Sequence, residues 1–116
     1  MPNSKSYNLE ERTFEFARDC RLFVKKLKKT VSNIEDVKQL VRSSGSVGAN
    51  YIEANEKLGE KDLKFRLKIS RKEAKESRYW LRLLKALNKE HEEEIESLII
   101  EADELRKILS AIINKI

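Results

Sequence analysis

The chain has 116 residues, of which 39% are charged and 40% hydrophobic, with three glycines, one proline and one cysteine. That is enough for one domain with its own core, and the composition is that of long helices joined by short connections, with no strand signal. A net charge of +5 and a pI near 9.3 turn attention toward polyanions. A single cysteine, Cys20, rules out a disulfide framework, and Met1 to Phe14 contains no apolar run that would direct export, so cytoplasm is the expected compartment. Apolar runs such as Leu98 to Ile100 fall far short of the roughly 18 residues that suggest a membrane span.

Residues 1–8 are expected to form a disordered lead-in to one domain over 9–116. Asn8 followed by Glu11 predicts a capping box and a first helix over about 9–29. Its seam would be Phe16, Cys20, Phe23, Val24 and Leu27. Lys25, Lys26, Lys28 and Lys29 at its end suit the helix dipole, or else form a phosphate patch. Cys20 lies on the seam, as a small core residue rather than a reactive thiol.

Ser32 or Asn33 would cap a second helix over about 34–57. Its middle, Ser43 to Ala49, is unusually small. Gly45 and Gly48 each cost roughly 1 kcal/mol in a helix interior, which close approach by a neighbouring helix would offset. The small positions Ser70, Ala74 and Ser77 make the third helix the expected neighbour; a break at Ser43 to Gly48 is the competing possibility. Arg42, Ser46, Asn50 and Glu53 form a polar line, either a recognition strip or an Arg42 to Glu53 hydrogen-bond network, and Glu76 could join either.

The third helix, about 60–87, carries most of the information. Gly59 precedes it, Asp62 is placed to cap it, and Leu58 to staple onto Leu63. Lys61, Lys64, Lys68, Arg71, Lys75, Arg78, Arg82, Lys85 and Lys89 recur at alternating steps of three and four, which puts them in one row about 42 Å long. Leu63, Leu67, Ser70, Ala74, Ser77, Leu81 and Leu84 form the buried seam beside it. Phe65, Ile69, Trp80, Leu83 and Leu87 widen the apolar arc beyond what one core face requires and make a second contact surface, an oligomer interface. No exposed aromatic is expected between the cations, so phosphate contact is favoured over base stacking.

Asn88 breaks the chain, and the acidic cluster from Glu90 to Glu94 opens a fourth helix over about 89–115, with Ile95, Leu98, Ile99, Ala102, Leu105, Leu109, Ile112 and Ile116 at its seam. Short connections make the fold an all-α, up-down-up-down antiparallel four-helix bundle. From Lys61 to Lys89 eleven basic residues face three acidic ones, whereas from Glu90 onward eight acidic residues oppose three basic ones. Pairing of the basic row with the fourth helix or another protomer therefore competes with nucleic-acid contact, and an anionic membrane surface stands behind both.

No catalytic constellation emerges. His91, the only histidine, sits in a solvated helix start as a plain surface residue, and Asn88 stands where a di-iron bundle would need a glutamate. No phosphate loop or zinc spacing is present, so no enzyme activity, metal or cofactor is expected.

Residues 39–76 carry a resemblance. The run Gln39-Leu40-x-Arg42-Ser43-Ser44-x-Ser46-Val47-x-Ala49-Asn50-x-x-Glu53, followed by Lys61-Asp62-Leu63-Lys64-Phe65 and the small seam ending in Glu76, resembles the bacterial four-helix bundle proteins encoded by intervening sequences of 23S rRNA genes. Ala54 replaces the glycine usual after the glutamate. The resemblance implies a non-catalytic homo-oligomer, commonly a pentamer. The similar accessory proteins of diversity-generating retroelements are basic pentamers that work with a reverse transcriptase and nucleic acid. Two functions are thus expected to compete: RNA or DNA binding through the phosphate backbone, or an adaptor docking an acidic protein partner such as a reverse transcriptase.

Overall fold

The computed structural model describes residues 8–56 and 58–116; the expected lead-in, apart from Asn8, and Lys57 lie outside it. Four helices make up the described chain: α1 (Leu9–Val24), α2 (Val31–Ala54), α3 (Glu60–Leu87) and α4 (Glu92–Lys115), with one 3-10 turn at Lys89–His91. Sequential helices run antiparallel. Arg21 reaches Ser44 from α1 to α2, Ser43 meets Ser77 and Asn33 meets Asn88 from α2 to α3, and Lys85 meets Glu96 from α3 to α4. Helix α1 closes the circuit onto α4, while the diagonal pairs do not approach each other. At about 1.5 Å per residue α3 accounts for nearly the whole 44 Å long axis.

Each boundary has a local cause. Asn8 accepts the Glu11 N–H at 3.0 Å and starts α1. Helix α1 ends at Val24, five residues before the expected 29, so the lysine cluster lies beyond the helix. Two tight-turn bonds, Lys26 N to Phe23 O and Leu27 N to Val24 O, then fold Leu27 back into the core. Thr30, rather than Ser32 or Asn33, caps α2 by accepting the Asn33 N–H at 3.1 Å. Asn33 has other duties: its amide donates to Lys28 O and exchanges two 2.9 Å bonds with Asn88, both side chains being buried. That pair ties the start of α2 to the end of α3.

Before α3, Gly59 takes φ 137°, a left-handed conformation that only glycine adopts readily. The expected cap and staple are missing here. No side chain caps α3, Asp62 instead lies 3.6 Å from Arg66, and Leu58 is 76% exposed.

The core is one cluster contributed by all four helices. Phe16, Cys20 and Phe23 come from α1, Leu40 and Val47 from α2, Leu67, Leu81 and Leu84 from α3, and Ile95, Leu105 and Leu109 from α4. Burying each large aliphatic side chain contributes roughly 1.5–3 kcal/mol. The expected α3 seam is buried throughout except Leu63, which is half-buried. On α4 the seam ends at Ile113, with Leu98 and Ile112 half-buried at its edge, and Ile116 is 52% exposed because it lies past the helix end at Lys115.

Helix α2 is unbroken through its small-residue stretch. Its serines make the expected tight crossing with α3: Ser43 and Ser77 hydroxyls lie 2.9 Å apart, and Ser70 donates to Val47 O at 2.7 Å. Gly48, however, faces α1. A Cβ there would sit 2.9 Å from Thr13 Oγ1, so Gly48 admits α1 rather than α3.

Candidate nucleic-acid interface

Helix α3 presents three longitudinal faces. One is the seam, wedged between α2 and α4. The second is the basic row. Lys61, Lys68, Lys75, Arg78, Arg82 and Lys89 are exposed, while Lys64, Arg71 and Lys85 are half-buried. The steps of three and four put the row on two adjoining lines, of which Lys64, Arg71, Arg78 and Lys85 lie nearer α4, contacts with which run from Arg71 to Lys85. Lys85 meets Glu96 at 2.6 Å, and Arg71 reaches the Ser110 hydroxyl at 3.3 Å. Among the described residues no other member of the row lies within ion-pair distance of a carboxylate.

The acidic groups of α4 are engaged elsewhere. Glu101 takes a two-pronged contact from Arg12 of α1 at 2.8 and 2.9 Å, which raises the Arg12 pKa, and Glu94 pairs with Lys26 at 2.6 Å. Asp103 is held below the usual carboxylate range, first by its hydrogen bond from Arg106 and then by nearby Lys107 and Arg78. Among the described residues, ion pairing of the row with α4 is therefore confined to Lys85, with Arg78 attracted to Asp103 at longer range.

The third face is apolar and uncovered. Phe65 is 57% and Leu87 60% exposed, with Ile69, Trp80 and Leu83 half-buried. Trp80 also packs against the protomer's own core, so only part of it is free for a second contact.

The polar line on α2 does not form the expected Arg42 to Glu53 network. Three helical turns separate these residues; Arg42 instead crosses to α3, 2.6 Å from Glu76 and 3.3 Å from buried Glu73, the latter paired in charge but off the line of a hydrogen bond. The nearness of Glu73, with that of Glu76 behind it, raises the Arg42 pKa further. Asn50 donates to the Ser46 hydroxyl and carbonyl, both at 2.9 Å, and Glu53 is exposed.

Between the basic and apolar faces lies an open hollow of about 540 Å³. It is lined by Lys68, Arg71, Lys72, Lys75, Glu76, Tyr79 and Trp80, all from α3. Tyr79 is 53% exposed and stands edge-on to Trp80, ring centroids 5.0 Å apart. An exposed aromatic does therefore interleave with the cations, against expectation. The signal was present: Lys68, Lys72, Lys75 and Tyr79 follow steps of four, three and four, a stripe hidden because Lys72 falls outside the regular row.

Elsewhere, Cys20 is fully buried, and burial pushes its thiol pKa up to about 12, as befits a core residue. His91 is not a plain surface residue; it is half-buried with its ring edge-on to Phe23 at 5.8 Å. Among the described residues no three acidic, histidine or cysteine side chains gather as a metal site, and no helix is long and apolar enough to cross a membrane.

Comparison with known proteins agrees with this architecture. The family model described as 23S rRNA-intervening sequence protein matches residues 5–111. A crystal structure of a protein of unknown function from the S23 ribosomal protein family of Bacteroides thetaiotaomicron VPI-5482 is 33% identical and superposes with a TM-score of 0.82, covering 95% of this chain and 98% of that one. No curated protein matches the chain.

Proposed function

Given that the chain belongs to the family of 23S rRNA-intervening sequence proteins, we propose that it is a non-enzymatic, oligomeric four-helix bundle that binds RNA or DNA through phosphate contacts along α3. The observation that carries this is that, among the described residues, eight of the nine cations of the row, Lys61, Lys64, Lys68, Arg71, Lys75, Arg78, Arg82 and Lys89, lie outside ion-pair distance of a carboxylate, seven of them on α3 and Lys89 just past its end. Unpaired cations at regular spacing neutralise successive phosphates and release their counterions, a gain that depends steeply on salt and little on sequence. Assembly through Phe65, Ile69, Trp80, Leu83 and Leu87, as a pentamer by likeness to the family, would set several such rows on one particle and raise avidity.

Binding to generic duplex and single strands, followed from low to moderate salt, tests the proposal. If about four phosphates are engaged, log K falls against log salt with a slope of about −3.5 on duplex and about −3 on single strands. Reversing charge at Arg71, Lys75 and Arg78 flattens that slope. Absence of binding at low salt overturns it. Capture of an acidic protein that survives nuclease treatment and is lost in the same variant would instead make the row a protein-docking surface.

A further inference from the structure

We propose that the hollow at Tyr79 is a base-stacking subsite, so that the polyanion held by α3 is single-stranded nucleic acid. This rests on the phosphate-binding proposal and specifies its ligand. Its volume, about 540 Å³, lies within the roughly 300–1,000 Å³ of small-molecule sites and suits a nucleobase with its sugar. Tyr79 supplies a ring more than half open to solvent, braced edge-on by Trp80 instead of being folded into the core. Bases offer a π face to such a ring only when they are not paired and stacked in a duplex.

The charges around the ring match a base flanked by phosphates. Lys68, Arg71, Lys72 and Lys75 line the hollow, and the one acid present, Glu76, lies 2.6 Å from Arg42, which it shares with Glu73, so the cations of the hollow outnumber it four to one. The basic row continues past the hollow in both directions, to Lys61 and Lys89, which fits a polymer better than a free nucleotide. An acidic peptide would meet the cations but has no use for an exposed ring.

Trp80 is the chain's only tryptophan, so its fluorescence reports on the hollow and on the subunit contact it shares, and light scattering alongside the titration separates a quench at the hollow from a change of assembly. The intact protein is titrated at low salt with oligo(dT), with a duplex of equal length and with polyglutamate. Oligo(dT) should quench Trp80 and bind more tightly than duplex. Tyr79→Ala should weaken oligo(dT) binding roughly ten-fold with duplex binding unchanged, and Tyr79→Phe should restore it. Equal binding of both nucleic acids with no quench, or equal losses in Tyr79→Ala, overturns the stacking subsite and leaves phosphate binding standing. Absence of any nucleic-acid binding removes both, and quenching by polyglutamate as strong as by oligo(dT) makes the hollow an acidic-peptide site.

Discussion

Gly45 and Gly48 are alike in sequence and differ in what surrounds them. A Cβ on Gly45 meets only the far end of the Arg21 guanidinium, at 3.0 Å, whereas one on Gly48 meets Thr13 Oγ1 at 2.9 Å and Thr13 Cβ at 3.2 Å. Gly48→Ala should therefore cost about 1–3 kcal/mol by urea denaturation despite its better helix propensity, with Thr13→Ala recovering part of the loss. Gly45→Ala should change stability by less than about 1 kcal/mol, since Arg21 can swing aside. Cys20 offers a pH test. Burial raises the thiol pKa from 9.0 to about 12, so the folded state holds this proton after the unfolded state has lost it. The resulting stability is complete below pH 9.0 and is lost as pH rises from there toward 12, by up to about 1.4 kcal/mol per unit. Denaturation midpoints across that window should fall more steeply for the native protein than for Cys20→Ala.

At the scale of the helix, Asn33 and Asn88 show how two positions legible only as cap and breaker become a clamp. They lie 55 residues apart, are both buried, and satisfy each other's amides while holding Lys28 O and Leu84 O. Asn33→Ala strands the Asn88 carbonyl and one of its N–H groups in the interior, which should destabilise by about 2–4 kcal/mol. The double variant with Asn88→Ala should lose less than the two single losses combined, because each single change already breaks the shared pair. The same logic applies along α3. Heptad spacing puts nine cations in a row along α3 and just past its end, and only the neighbouring helix decides that Arg71 finds a hydroxyl and Lys85 a carboxylate.

In the whole molecule the circuit of four helices is not evenly sealed. Helix α1 approaches α4 least closely, and there the Arg12–Glu101 and Lys26–Glu94 pairs span the seam. Those pairs engage α4 carboxylates that would otherwise lie free to answer the α3 row. On the far side of α3 Phe65 and Leu87 stand exposed and Ile69, Trp80 and Leu83 are only half covered by their own protomer, a wider apolar arc than one bundle needs. Light scattering should accordingly report an oligomer, and Phe65→Glu with Leu87→Glu should reduce it to monomers with helix content by circular dichroism unchanged. A monomeric native protein would remove the assembly proposal.

The four helices, their antiparallel order and nearly every core position of α3 were readable from periodicity, because a side chain's place on a helix follows from its number alone. Helix ends were less legible: Thr30 and Asn33 are both competent caps, and only the demand of Asn88 for the Asn33 side chain decides between them. Partnership belonged entirely to the tertiary structure. Which carboxylate meets which cation, which helix Gly48 admits, and whether Tyr79 is covered or open all depend on distances across the bundle. Packing sets those distances between residues far apart in the chain, where spacing along one helix has no say.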